Sequence, residues 1–180
     1  MGRTSQTKLA VLGALSVEPM TGYVVRRSIA ETLGHFWSES FGQIYPALAE
    51  LEREGAIRRA TPGLTSGSTF EITPTGSEML RQLLAEPFES APPRNALLLR
   101  LFFGRHLGPS VCRALLEKTL ADAEVRKAGF AAIRAEMENE IATQDSPYWT
   151  IALDNGERSI QTAIEWARHS IAILNDLDEQ

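Results

Sequence analysis

Leu9, Leu12 and Leu15 recur at three-residue spacing near the start of the chain, and Pro19 blocks continuation, which predicts a first helix over roughly residues 5–17. Thr21 then stands as a cap before GYVVRRSIAETLG, in which Val25, Ile29 and Leu33 fall four apart and Gly34 follows as a stop. In SESFGQIYPALAELEREG, Ile44, Leu48 and Leu51 make an i, i+4, i+7 stripe ending at Gly55, so residues 41–54 read as a third helix. Pro46 sits inside that helix and leaves two starts open. If the helix begins after Ser40, the proline distorts its second turn; if the regular part begins at Pro46, SFGQIY is a turn and the proline takes a tolerated first position.

After Gly55 the period changes. AIRRAT and TFEIT alternate or are β-branched, and PGLTSGS between them is a turn cluster, so the pair reads as a β-hairpin. PTGSEMLRQLLAE returns to helix, with Met79, Leu80, Leu83 and Leu84 as its buried face. Three helices, a hairpin and a helix are the order of a winged helix-turn-helix. PFESAPPR, residues 87–94, has three prolines and no periodicity and reads as a linker. Beyond it NALLLRLFFGRHL is short and very apolar. Two long helices follow. In the first, over roughly residues 110–143, Leu116, Ala123, Phe130 and Met137 repeat every seven residues with Leu120, Ile133 and Ile141 near the same face. In the second, over roughly residues 147–177, Leu153, Ile160, Ala167 and Leu174 repeat likewise, supported by Ile164 and Ile171. Asp154-Asn155-Gly156 opposes helix there and predicts a kink or a start nearer residue 157. Trp166 and Ile173 widen the apolar face beyond one stripe, which calls for two partners, one of them another chain. The fold class is therefore mainly α with a small β-hairpin wing: a winged helix-turn-helix over 1–86, the 87–94 linker, and long helices over 95–180.

Composition narrows the function. The single cysteine, Cys112, excludes an internal disulfide framework, fits a reducing cytoplasm and lies in an apolar run where it packs. His35, His106 and His169 lack metal-ligand spacing, so neither metal nor cofactor is expected. The apolar run Leu9 to Val17 imitates a secretory leader but meets Glu18-Pro19, and an amphipathic helix is the better reading; no later run is long enough for a membrane span. No nucleophile elbow, phosphate-cradling glycine loop or Cys/His pairing is present, which argues against an enzyme. The formal charge is −5; up to residue 86 eight basic residues face nine Glu, and beyond it ten face fourteen acidic residues. Any surface for nucleic acid must be a local patch.

LGALSVEPMTGYVVRRSIAETLGHFWSESFGQIYPALAELEREGAI, then FEITPTG, then the apolar LLLRLFFGRHL leading into long helices, together resemble the PadR family of bacterial transcriptional regulators. The most specific piece is W-S-x-S-x-G-x-I-Y-P-A-L-x-x-L-E-x-E-G. The resemblance implies a cytoplasmic homodimeric repressor that binds double-stranded DNA at an inverted-repeat operator through the winged helix and dimerises through its C-terminal helices. In many members a small phenolic or drug-like effector releases the operator. Two departures stand out: Gln43 where Thr or Ser is frequent, and Glu71 in a strand that is often basic.

Within that frame Gln43 is the long polar side chain of the early third helix, and its amide is suited to adenine N6 and N7. It equally completes a capping box with Ser40. Tyr45, beside Pro46, either reaches phosphate with its hydroxyl or packs between helices, and Ser38 and Ser40 either donate to phosphate or cap. Arg58 and Arg59 alternate across the first strand, one toward DNA and the other toward solvent. Thr65, Ser66 and Ser68 are turn residues that can also reach phosphate, Lys8 and Tyr23 are further phosphate candidates, and Arg26 and Arg27 are either a solvated face or phosphate contacts. Glu50, Glu52 and Glu54 repel phosphate, so the third helix enters a groove by its amino end, or they pair with the basic strand. Trp149 and Trp166, with Trp37, either line a flat ligand pocket or pack in a core. A competing reading, supported by the near-neutral N-terminal section, is a winged-helix protein-interaction module without specific DNA binding.

Overall fold

The computed structural model describes residues 3–34, 37, 41–60, 67–87, 94–139 and 141–178, and the chain divides into two compact units, Met1–Ala91 and Pro92–Gln180. In the first unit, α1 (Arg3–Val17) buries Val11, Leu12 and Leu15 against α3 and α4. Helix α2 (Gly22–Ser28) is capped by Thr21, whose Oγ1 accepts from Val24 N at 3.3 Å, and the chain then widens into a π-helical turn over Ile29–Leu33.

Helix α3 (Phe41–Arg53) runs regularly through Pro46, so the helix starts before the proline. The proline removes the bond to the carbonyl of Gly42, and both residues lie on the exposed side of the helix. Ile44, Ala47, Leu48 and Leu51 face the core as the stripe requires. Gly55, at φ 71°, ends the helix in the left-handed conformation, and Ala56 N then donates to Leu51 O at 2.9 Å.

The wing is a three-stranded antiparallel sheet rather than a two-stranded hairpin. Strands β2 (Ile57–Arg59) and β3 (Thr69–Ile72) pair as expected, and β1 (Met20–Thr21) adds to the free edge of β3, giving the order β1-β3-β2. Two residues after Pro19 are too few to show alternation, and only the edge of β3 makes them a strand. Helix α4 (Pro74–Ala85) is capped by Thr73, which accepts from Gly76 N at 3.1 Å. Met79, Leu80 and Leu83 pack on the core, but Leu84 is exposed and leaves the predicted buried set.

In the second unit, α5 (Ala96–Phe102) is capped by Asn95, whose Oδ1 accepts from Leu97 N and Leu98 N at 3.0 Å. A 3-10 turn over Gly104–His106 leads to α6 (Pro109–Asn139) and α7 (Ser146–Asp178). These two helices pair antiparallel, because Glu124, Lys127 and Arg134 meet Arg168, Gln161 and Glu157 in reverse order. Leu116, Ala123 and Phe130 of the α6 heptad and Leu153, Ile160 and Ala167 of the α7 heptad are buried, while Ile141 lies outside the seam, exposed. Cys112 is buried, its thiol aimed at the Gly104 carbonyl 3.7 Å away.

Helix α7 does not start near residue 157 but continues through Asp154-Asn155-Gly156. A Cβ on Gly156 would sit 2.6 Å from the Phe130 ring, so the glycine is where that ring packs, and Arg158 Nε donates to Asp154 at 2.8 Å across the same turn. Packing and one ion pair outweigh a propensity cost of about 1 kcal/mol. Arg134 Nε donates to Glu157 Oε1 at 2.8 Å, and that hydrogen bond and charge hold Glu157 below its ordinary value of 4.5. A carboxylate depressed in the folded state stabilises above its unfolded value, and the contribution is lost as pH falls through the folded one. Acid titration of the α6–α7 melting midpoint is therefore expected to fall below about pH 5, and Glu157→Gln to flatten that fall, as followed by circular dichroism.

Candidate nucleic-acid interface

The exposed surface of α2 and α3 begins with a glycine. Gly22 is buried, and a Cβ there would meet Tyr45 Cε1 at 3.1 Å and Leu48 Cδ1 at 3.3 Å. The missing side chain lets the Tyr45 ring rest on the start of α2 while 50% of the residue stays exposed. Tyr45 thus packs between helices and faces solvent at once, so the two readings of it are not exclusive. Because Ile44 points into the core, its neighbours Gln43 and Tyr45 are turned outward, and Pro46 is exposed with them. On α2, Tyr23 is 58% exposed and carries the Arg26 guanidinium 5.6 Å above its ring. Tyr23, Gln43, Tyr45 and Pro46 accordingly lie on exposed positions of α2 and the amino-terminal half of α3. Ser38, Ser40, Thr65 and Ser66 fall outside the described residues, and with Ser40 the capping alternative for Gln43.

The basic candidates are arranged differently from the expectation. Arg58 and Arg59 do alternate across the sheet, but each is paired with a glutamate. Arg58 stands opposite Glu71 in the β2–β3 register and forms an ion pair with it. Arg59 extends over the Phe70 ring at 5.4 Å, and its Nε donates to Glu52 of α3 at 2.8 Å, which raises its pKa. It joins the wing to the far end of α3 from Gln43. Lys8 donates to Glu54 at 2.9 Å and lies 3.2 Å from Glu50, so it is held by carboxylates rather than presented to phosphate. Of the three glutamates at the end of α3, Glu52 pairs with the basic strand through Arg59, while Glu50 and Glu54 pair with Lys8 of α1. Ser68, beside the strand that carries buried Phe70, is only 6% exposed and lies beneath the surface. Arg27 pairs with Glu31 at 2.9 Å on the outer side of α2.

Glu71 departs from a strand that is often basic, a departure that bears on the strength of wing contact. Aligning the hairpin so that Ile57 faces Ile72 puts Arg58 opposite Glu71, and that register was the available signal. The aromatic candidates do not converge. Trp149 is exposed and Trp166 half-buried, and seventeen positions on one helix separate them by about 25 Å. One chain does not bring them into a common pocket. Trp37 packs on the N-terminal core.

Residues 11–82 match the model of the transcriptional regulator PadR-like family, and residues 93–175 match that of the virulence activator alpha C-terminal region. A PadR-like transcriptional regulator from Bacillus cereus shares the fold over 94% of this chain and 98% of its own, with a TM-score of 0.82 and 25% identity. The N-terminal unit is that of a PadR-like transcriptional regulator. The negative transcriptional regulator PadR of Bacillus subtilis is 34% identical over 76 residues, which are 42% of this chain and 36% of that protein. The crystal structure of Bacillus subtilis PadR in complex with operator DNA covers 93% of this PadR-like chain and 98% of its own, with a TM-score of 0.77 at 21% identity. Its complex with p-coumaric acid gives a TM-score of 0.75, also at 21% identity over the same shares. At that identity the likeness is one of fold, and the fold is the winged helix followed by long helices. The family is one of regulators, not of enzymes. No helix among the described residues is long and apolar enough to cross a membrane.

Proposed function

We propose that this PadR-like chain represses transcription as a homodimer in the cytoplasm, binding an inverted-repeat operator through residues 1–86 and dimerising through residues 95–180. The observation that carries the DNA-binding part is the exposed set on α2 and the amino-terminal half of α3: Gln43 suited to a base edge, Tyr23 and Tyr45 suited to phosphate, and the positive end of the helix dipole on the same side. Dimerisation is supported by α5 and the turn after it, where Leu99, Phe102 and Phe103 are 63%, 84% and 56% exposed. A patch of that kind is covered in a stable protein, and a second copy of the chain covers it at no cost in specificity. A small aromatic effector is supported by the p-coumaric acid complex of the Bacillus subtilis relative. Trp149 and Trp166 would then each contact ligand only together with other residues.

The paired cations favour a second reading, a winged-helix protein-interaction module, and one experiment separates the two. Selection of duplexes from a randomised 30-base-pair pool is expected to return an inverted repeat of about 20–30 base pairs, bound by two chains in sedimentation and lost steeply as salt rises. Millimolar p-coumarate is expected to quench tryptophan fluorescence and release the duplex. Failure to enrich any duplex at low salt overturns the DNA-binding reading in favour of the protein-interaction one.

A further inference from the structure

We propose that Glu71 sets the affinity of the wing for DNA by holding Arg58, so that phosphate must compete with a carboxylate built into the sheet. This inference rests on the operator-binding reading above. The two residues are directly opposed in the antiparallel register, on the face of the sheet away from Ile57 and the core. The Arg58 side chain is 72% exposed and the Glu71 side chain 28%, so the carboxylate is the seated partner and the guanidinium the one able to leave. Arg59 has no such freedom. It is only 37% exposed, with Glu52 on one side and the Phe70 ring beneath it.

The wider charge pattern makes this pair decisive for the wing. Among the described residues of the first unit, Lys8, Arg27, Arg53, Arg59 and Arg81 also each lie beside a glutamate, at 2.6 to 3.6 Å. A solvent-exposed ion pair is worth about a fivefold change in an equilibrium at most, comparable with a single phosphate contact. Glu71 therefore attenuates binding and does not abolish it.

The test uses the full chain and the duplex enriched from the randomised pool. Glu71→Gln keeps the size and hydrogen-bonding capacity of the side chain while removing its charge. It is expected to tighten binding about three- to fivefold at low salt and to steepen the slope of log K against log salt by about one. Arg58→Ala is expected to cost little in the wild-type chain and to abolish the gain in the Glu71→Gln background. Unchanged or weakened binding by Glu71→Gln overturns the inference, since the glutamate then serves to position Arg58 rather than to withhold it. A gain that survives Arg58→Ala overturns it too, because the effect is then a general field. If the wild-type chain binds no duplex, the functional reading itself has failed, and that outcome is distinct from both.

Discussion

Replacing Gly76 by alanine is expected to cost the N-terminal unit about 3 kcal/mol or more, read as a fall of the order of 10 °C or more in its melting midpoint. Gly76 lies in the first turn of α4, where propensity alone favours alanine by about 1 kcal/mol. The space forbids it. A Cβ at Gly76 would stand 1.9 Å from the Ala56 carbonyl oxygen and 2.9 Å from Ile72 Cγ1, and the nearest atom is backbone, which cannot step aside as the end of a long side chain can. The same carbonyl accepts Thr73 N and Thr73 Oγ1, both at 3.0 Å, so moving it breaks the seat of α4 on the turn after α3. Gly55→Ala is the comparison. Its φ of 71° strains any L side chain, but nothing lies within 4 Å, so the cost is expected to be nearer 1–2 kcal/mol. Equal melting midpoints for the two variants would show that strain, not contact, governs this corner.

Tyr45→Ala is expected to weaken binding to the selected duplex about tenfold or more, with the slope against salt unchanged because no charge is lost. Gln43→Ala is expected to cost about 1–3 kcal/mol at one base pair of each half-site and to relax the preference there, leaving binding to other sequences nearly untouched. Both side chains are exposed, so the folded state tolerates their loss, although Tyr45 also rests on Gly22. Fluorescence anisotropy against the parent duplex and its single-base variants separates the two effects. If Tyr45→Ala lowers the melting midpoint and affinity in proportion, the tyrosine is a packing residue and the exposed surface on α3 needs another anchor.

The motif segments that carry the family resemblance turn out to be largely about folding. Gly55 and Ala56 end the E-x-E-G-A-I run, Thr73 and Gly76 sit in ITPTG, and in the structure these four residues touch: Thr73 Oγ1 lies 2.7 Å from Gly55 O, and Gly76 abuts Ala56 O. Two motifs separated by the whole wing are one joint. Sequence separation hid this, because spacing along a chain says nothing about which carbonyl a distant glycine must approach. The helical stripes were legible, since a period of 3.6 or 3.5 residues leaves its trace in every turn. Strand β1 was not, because two residues have no period.

The pattern of apolar residues by itself determined the order of elements, the core-facing positions of α3 and the heptad seam of α6 and α7, because burial of one stripe is a local demand that each helix states in its own sequence. Gln43 and Tyr45 as surface residues followed from the same stripe, one position to either side of Ile44. The tertiary structure decided which charges were available, although the register of the hairpin already set Arg58 against Glu71. Lys8 was bound by Glu50 and Glu54, Arg59 by Glu52 and Arg58 by Glu71, pairs separated by up to 46 positions. It also decided that α7 passes unbroken through Asn155-Gly156, since the Phe130 ring that occupies the glycine comes from another helix. An ion pair or a packed ring depends on where two distant segments meet, and that is set only when the whole chain has folded.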